Sequence, residues 1–278
     1  MTADGDPHLA RITVYPVKSL DGLERDRAGF AGEGLELDRE YALVDADGAY
    51  VNGKRERAVH RLDSAFDPDR RMLRLSAPDR AERTFTLDTD AGANEDEDAG
   101  DRDDLTEWLS AYFGYPVSLR RDDAGGFPDD TAAAGPTVIS TATIEEVASW
   151  FPSITTEGMR RRLRANLELG GVPAFWEDRL FADRDHVVSF SIGDVEFTGV
   201  NPCQRCVVPS RDPDTGAETD GFNERFIERR RETMPAWSGG DWFDHHFRLM
   251  VNTRVDGEGS EVAVGDPVTV GEMRAVDG

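Results

Sequence analysis

Short runs in which apolar and polar residues alternate with a period of two, each ended by a Gly, Pro or Asp turn signal, constrain this chain more than any other feature. A period of two puts one face of a strand in a core and the other in water. ARITVYPV (10–17) alternates in this way, with Ile12, Val14 and Pro16 on one face. YALVDADGAYVN (41–52) reads as a hairpin around Asp47-Gly48, and RMLRLSAPDRAERTFTLDT (71–89) as a strand pair about a Pro-containing loop. YPVSLRR (115–121) and TVIS (137–140) are single strands. HVVSFSIGDVEFTGV (186–200) is a hairpin turning at Gly193-Asp194, and FRLMVNTRV (247–255) and SEVAVGDPVTV (260–270) close the chain as strands.

Helical spacing is confined to a few places. LTEWLSAYFG (105–114) sets Leu105, Trp108, Leu109 and Tyr112 on one side and ends at Gly114. TATIEEVASWF (141–151) predicts a helix with a capping box between Thr143 and Glu146, and NERFIERRRE (223–232) an amphipathic one. The acidic AGANEDEDAGDRDD (91–104) reads as a solvated surface loop. DDAGGFPDDTAAAGP (122–136) is the boundary candidate. The expected fold is α+β and mainly β, with an N-terminal β-barrel-like domain over 8–125 and a second β-barrel domain with a few helices over 126–275.

Charge narrows the partners. There are 56 acidic residues against 32 basic, a net −24, and only Lys18 and Lys54 among the basic residues are lysine. Such a surface suits a salt-adapted, halophilic protein, because at 1 M salt the Debye length is about 3 Å and self-repulsion is screened. Nothing forms a basic patch for nucleic acid. No apolar run reaches the roughly 18–20 residues of a membrane span. The start, MTADGDPHLA, has no signal-peptide core, and two cysteines in 278 residues is a reduced, intracellular usage, so a cytoplasmic location without membrane association is expected.

Both cysteines sit in NPCQRCVVPSRDPDTG (201–216), as Cys203 and Cys206. A disulfide would close a very small loop and gain little entropy. Structural zinc needs four ligands, and only His245 and His246 are at hand to complete one. A thioredoxin-type couple needs a helix N-terminus, whereas Val207-Val208-Pro209 reads as extended. A single thiolate displayed at a strand end, as ligand or nucleophile, is the fourth reading. DPDTG (212–216) has turn-forming pairs. Glu177 and Asp178 divide evenly between carboxylates near a site and simple surface acids. Asn52, Lys54 and Arg55 are candidates for a substrate mouth.

Taken together, VYPVKSLDGL (14–23), LELDREYALVD (35–45), LRANLEL (163–169), FWEDRL (175–180), SIGDVEF (191–197), CQRCVVPSRDPDTG (203–216) and VGDPVTV (264–270) resemble the MOSC superfamily. MOSC is the domain at the C-terminus of molybdenum cofactor sulfurases. The N-terminal part resembles the β-barrel domain that precedes it in amidoxime-reducing components. The blocks run in order over nearly the whole chain. Two departures stand out: Ala165 where the family has Arg-Pro-Asn, and Pro209-Ser210 where it commonly has two threonines.

The resemblance implies a molybdenum–pterin cofactor (molybdopterin) held between the domains, with Cys206 as catalytic metal ligand and Cys203 beside it. A soft thiolate suits molybdenum, and nearby arginines favour the thiolate. It implies cofactor contacts from Lys18, Ser19, Arg39, Arg164 and Asn166, from Ser140 and Thr141 at a strand end before a helix, and from Ser210 and Asp214. The activity implied is two-electron reduction of small N-hydroxylated substrates such as amidoximes, hydroxylamines and hydroxylated bases, with the metal doing the redox step. Some relatives carry their own ferredoxin domain. With no further cysteines here, an external electron donor, ferredoxin-like or a flavin reductase, is expected. The alternative is a sulfur-carrier or cofactor-delivery module. Pyridoxal phosphate binding is associated with the superfamily only through a desulfurase domain that this sequence lacks.

Overall fold

The computed structural model describes residues 5–87, 95–122, 124–238, 243 and 245–276. The N-terminal strands are β1 (His8–Val14), β2 (Leu23–Arg25), β3 (Arg27–Ala31), β4 (Gly34–Leu35) and β5 (Tyr41–Asp45). Then come β6 (Asp63–Asp67), β7 (Met72–Ala77), β8 (Arg80–Thr86), helix α1 (Glu95–Phe113) and β9 (Val117–Arg121). The next stretch holds β10 (Val138–Ser140), α2 (Thr141–Ser149), α3 (Thr156–Leu163) and β11 (Leu167–Gly170). The chain finishes with β12 (His186–Ile192), β13 (Val195–Gln204), α4 (Phe222–Thr233), β14 (Arg248–Val255), β15 (Glu261–Ala263) and β16 (Val268–Ala275).

The protein is mainly β, as the alternation requires. The largest sheet runs β16-β12-β13-β14-β10-β11-β1-β2, and three small sheets hold β15-β3-β4, β5-β9 and β6-β7-β8. The large sheet is open, with β16 and β2 at its ends, and no closed barrel forms among the described residues. Its one parallel pair is β10 with β11; β1 lies antiparallel to β11, so a strand from the start of the chain joins strands from its second half. The β12–β13 hairpin shows why the register is fixed. Phe190, Ile192, Val195 and Phe197 are buried and their neighbours alternate outward, and Gly193 supplies the left-handed turn at φ 56°.

Three apolar clusters hold these layers. One packs β1 and β11 on β12–β14; a second sets Trp108 and Leu109 of α1 against Tyr41, Leu75 and Phe85; a third joins α2, α3 and α4, with Phe151 stacked on Phe222 at 4.4 Å.

Three local expectations change, and one helix has no signal in the sequence. Residues 95–104 are helical, not loop, because α1 starts at Glu95; residues 91–94 lie outside the described residues. The Leu105–Trp108–Leu109 anchor fixes the helix. The capping box is absent: Ser140 caps α2 through the Thr143 amide, and Glu146 accepts from Trp150 Nε1. α3 was not foreseen, because TEGMRRRL offers only Met159 and Leu163 as an apolar stripe amid three arginines. Residues Val208–Ser210 form one 3-10 turn, not an extended segment. No helix among the described residues is long and apolar enough to cross a membrane.

Candidate functional site

A cavity of about 720 Å³ opens where the loop after β1, the end of α3, the 125–135 loop and the end of β13 meet. Ten basic and six acidic side chains line it, the reverse of the balance in a chain of net charge −24. Cys203 and Cys206 both line the wall, half-buried and as free thiols. Cys203 is displayed by the last residues of β13, and its sulfur accepts a hydrogen bond from Arg205 Nη1 at 3.2 Å.

Lys18, Ser19, Arg39, Arg164 and Asn166 share that wall. Lys18 is buried; its Nζ donates to Phe127 O and to Asp129 Oδ1, each at 2.7 Å. Burial lowers its pKa, and Asp129 opposes the shift. Asp129 also meets Arg39 Nε at 3.6 Å, and Arg39 pairs with Asp38. Burial would raise the Asp129 pKa, but Arg39 and Lys18 win and hold it well below the carboxylate range. The Arg164 guanidinium lies 4.0 Å from the Tyr15 ring centroid, on the ring face, and Arg39 is 5.5 Å from the same centroid. Asn166 spends its amide inside the protein. It donates to Thr13 O and Asp38 Oδ1 and accepts from Thr137, so it positions Asp38 and through it Arg39.

Backbone strain concentrates here. Among the described residues, seven non-glycine residues have positive φ, and Ser19, Arg39, Arg164 and Met250 of these line the cavity. Each such conformation costs on the order of 1 kcal/mol or more and persists where the surroundings over-determine it.

Four sequence candidates do not line the cavity. Ser140 is buried as the cap of α2, and Thr141 Oγ1 donates to Glu168 at 3.5 Å. Ser210 turns its hydroxyl to Val207 O at 2.7 Å, within its own turn. Asp214 is exposed and pairs with Arg161 at 2.7 Å. If Ser140 acts only as a cap, Ser140→Ala lowers stability by about 1 kcal/mol and leaves ligand binding unchanged; urea unfolding and calorimetry check the two halves. Of the mouth candidates, Asn52 and Lys54 line the cavity, whereas Arg55 points to Tyr50 O and Asp45.

Asp129, Tyr15, His60, Arg205 and Arg211 line the cavity without having been singled out. Arg205 had a signal, its place between the two cysteines. Asp129 had none, lying in a Gly-, Pro- and Ala-rich stretch that reads as a linker.

Glu177 and Asp178 are neither site nor surface groups. Both are buried away from the cavity, with Asp178 bound to Arg230 at 2.5 Å and Glu177 accepting from Thr143 Oγ1 at 3.0 Å. Burial, then the Asp178 charge, raise the Glu177 pKa from 4.5 to about 7. Between those values the folded protein holds a proton that the unfolded chain has released. Stability therefore falls as pH rises from 4.5 to about 7 and then levels, a loss on the order of 3 kcal/mol. Glu177→Gln is expected to flatten that slope in urea midpoints taken across this range.

No group of three or more His, Cys, Asp or Glu side chains is placed to hold a metal among the described residues. The short turn after Cys206 is no α-helix N-terminus, so a thioredoxin-type couple lacks its support.

Comparison with known proteins agrees with this picture. The MOSC N-terminal beta barrel domain matches residues 7–116, and the MOSC domain matches residues 135–269. The molybdenum cofactor sulfurase of Homo sapiens is 24% identical over 81% of this chain, which spans 29% of that protein's length. The mitochondrial amidoxime reducing component 2 of Bos taurus is 22% identical over 75% of this chain and 67% of its own. Among solved structures, the YUAD protein from Bacillus subtilis aligns over 96% of both chains at 13% identity and a TM-score of 0.37. With both domains matched in order, and both cysteines of the CQRC block on the wall of one cationic cavity, the chain belongs to the MOSC family.

Proposed function

We propose that this protein binds a molybdenum–pterin cofactor in the cavity and reduces N-hydroxylated compounds with electrons from a separate ferredoxin-like or flavin protein. The observation that carries this reading is two free thiols on the wall of a cavity whose lining is net basic in a strongly acidic chain. The residues fit the group. A soft sulfur ligand is available for molybdenum, and guanidiniums without a carboxylate partner are available for a phosphate. Buried Arg211 keeps its Nε without an acceptor. When bound, the molybdenum centre supplies two-electron redox chemistry.

The chain's own residues supply the rest. Cys206 holds the metal. Lys18, Ser19, Arg39 and Arg164 surround the pterin, Asn166 keeps Asp38 and Arg39 in place, and the Tyr15 ring gives a buried flat face beside them. Substrate enters past Asn52 and Lys54. The working domain division is 8–125 and 126–275, supported by domain matches that end at 116 and begin at 135. A cytoplasmic, salt-adapted setting accords with the free thiols and the acidic surface.

The sulfurase relatives favour a second reading, a module in which Cys206 carries sulfur or passes on the cofactor without turnover. Metal, pterin and persulfide analysis of protein purified in high salt decides. Molybdenum and pterin near one per chain, with reduction of an amidoxime by a supplied donor, supports the reductase. Persulfide without molybdenum supports the carrier and sinks the reductase.

A further inference from the structure

Among the described residues, the large sheet has an uncovered edge far longer than its other one. Its end strands are β2, three residues long, and β16, eight residues long. Every residue of β16 after Val268 is exposed, Met273 to 62%. Four of the six exposed large hydrophobic side chains among the described residues gather here: Val270, Met273, Val276 and Trp237. Val270, Met273 and Trp237 line a shallow cleft of about 380 Å³ with Phe181 and Val188, and the Trp237 ring stands edge-on to Phe181 at 5.3 Å. A long edge with free N–H and C=O groups and a contiguous apolar patch beside it marks a contact surface.

The pairing with β12 fixes which groups of β16 are free. Met273 lies opposite Val188 and Arg274 opposite Val187 in an antiparallel register. Just past the strand, the Val276 N–H donates to Asp185 O at 2.8 Å. Hydrogen bonding alternates along an antiparallel strand, so Arg274 turns its peptide groups to β12 and Met273 turns its own to the open edge. Gly271 and Glu272 together face Ser189, a bulge that confines regular pairing to the residues beyond it. Side chains alternate as well. Met273 lies on the cleft face, whereas Glu272 and Arg274 share the other, where Arg274 Nη2 donates to Thr198 Oγ1 at 2.9 Å. Neither Glu272 nor Arg274 has an ion-pair partner among the described residues.

We infer that β16 is the edge through which two copies of this chain pair, antiparallel, about a two-fold axis at Met273. That register sets Met273 opposite its own copy, and the outward N–H and C=O groups of the two residues bond each other across the axis. It also sets Glu272 opposite Arg274 of the second copy, and Arg274 opposite Glu272 of the second copy, so two opposite-charge pairs form on one face. On the other face the two Met273 side chains meet and the two clefts adjoin. Centring the axis on Glu272 or on Arg274 would oppose like charges, so the charge pattern selects Met273. The strand is thus complementary to itself, which is what a two-fold interface requires. The pairing needs no cofactor and stands apart from the cavity.

Sedimentation equilibrium of the full chain in about 1 M KCl tests this, because salt at that level screens the repulsion between two chains of net charge −24. A dimer is expected. Met273→Asp sets two carboxylates against each other on the axis and weakens the dimer roughly tenfold or more. Glu272→Arg and Arg274→Glu each create two like-charge pairs and weaken it by about tenfold. The exchange variant carrying both substitutions restores the pairs and recovers most of that loss. All three side chains are exposed, so unfolding midpoints close to the parent's are expected and separate lost pairing from lost folding. A parent that stays monomeric at about 0.1 mM overturns the pairing. So does a dimer that Met273→Asp leaves intact, or an exchange variant no better than the single ones. A monomer that instead binds a separate electron-donor protein, and loses it in Met273→Asp, assigns the edge to that partner and overturns self-pairing as well.

Discussion

Cys206→Ser protein is expected to emerge from a molybdenum-replete host with its metal content down by about tenfold or more, while Cys203→Ser keeps at least about half. The asymmetry follows from the surroundings. Cys203 Sγ already accepts a hydrogen bond from Arg205, which ties it to the wall at the end of β13. Cys206 follows β13 and precedes the 3-10 turn, and it lines the same cavity. A serine hydroxyl is a hard, neutral donor at neutral pH and replaces a thiolate poorly on a soft metal. Pterin is measured alongside the metal, and unfolding midpoints confirm that both variants are folded. Full molybdenum in Cys206→Ser, or an equal loss in both variants, would sink the assignment of Cys206 as ligand.

Much of the fold was legible because its signals are local. The β12–β13 hairpin declares itself through alternating Phe190, Ile192 and Phe197 and a Gly193-Asp194 turn, all within a few residues. Helix α3 was hidden because its burial is decided by α2 and α4, not by its own arginine-rich sequence. The site divides in the same way. Lys18, Arg39 and Cys206 sit in recognisable blocks. Asp129, which decides whether Lys18 and Arg39 are free, contacts Lys18 across 111 positions of chain, and no spacing rule reaches that far. Ser140 shows the converse, since a hydroxyl at a strand end before a helix serves a helix cap as readily as an anion. FWEDRL offered two acidic residues and no hint that an arginine 52 positions later would bury one of them.

That arginine carries the largest stability effect we expect. Arg230 is fully buried; its Nη2 meets Asp178 Oδ1 at 2.5 Å, its Nε donates to Arg248 O at 3.0 Å, and its guanidinium lies 4.9 Å from the Phe175 ring centroid. Burial raises the Asp178 pKa, and the Arg230 charge is the main force opposing it. Truncation to alanine leaves Asp178 buried without that charge, frees the Arg248 carbonyl and opens space beside Phe175. Breaking a buried pair from one side costs about 3–5 kcal/mol, whereas replacing both partners with apolar groups of similar volume is often neutral. Arg230→Ala is therefore expected to lower stability by about 3–5 kcal/mol in urea unfolding, and the Asp178→Leu, Arg230→Met double variant to recover most of it. A loss below about 1 kcal/mol for Arg230→Ala would show that the pair is compensated by its surroundings, and a double variant no better than the single would show that the carboxylate left behind is not the source of the cost.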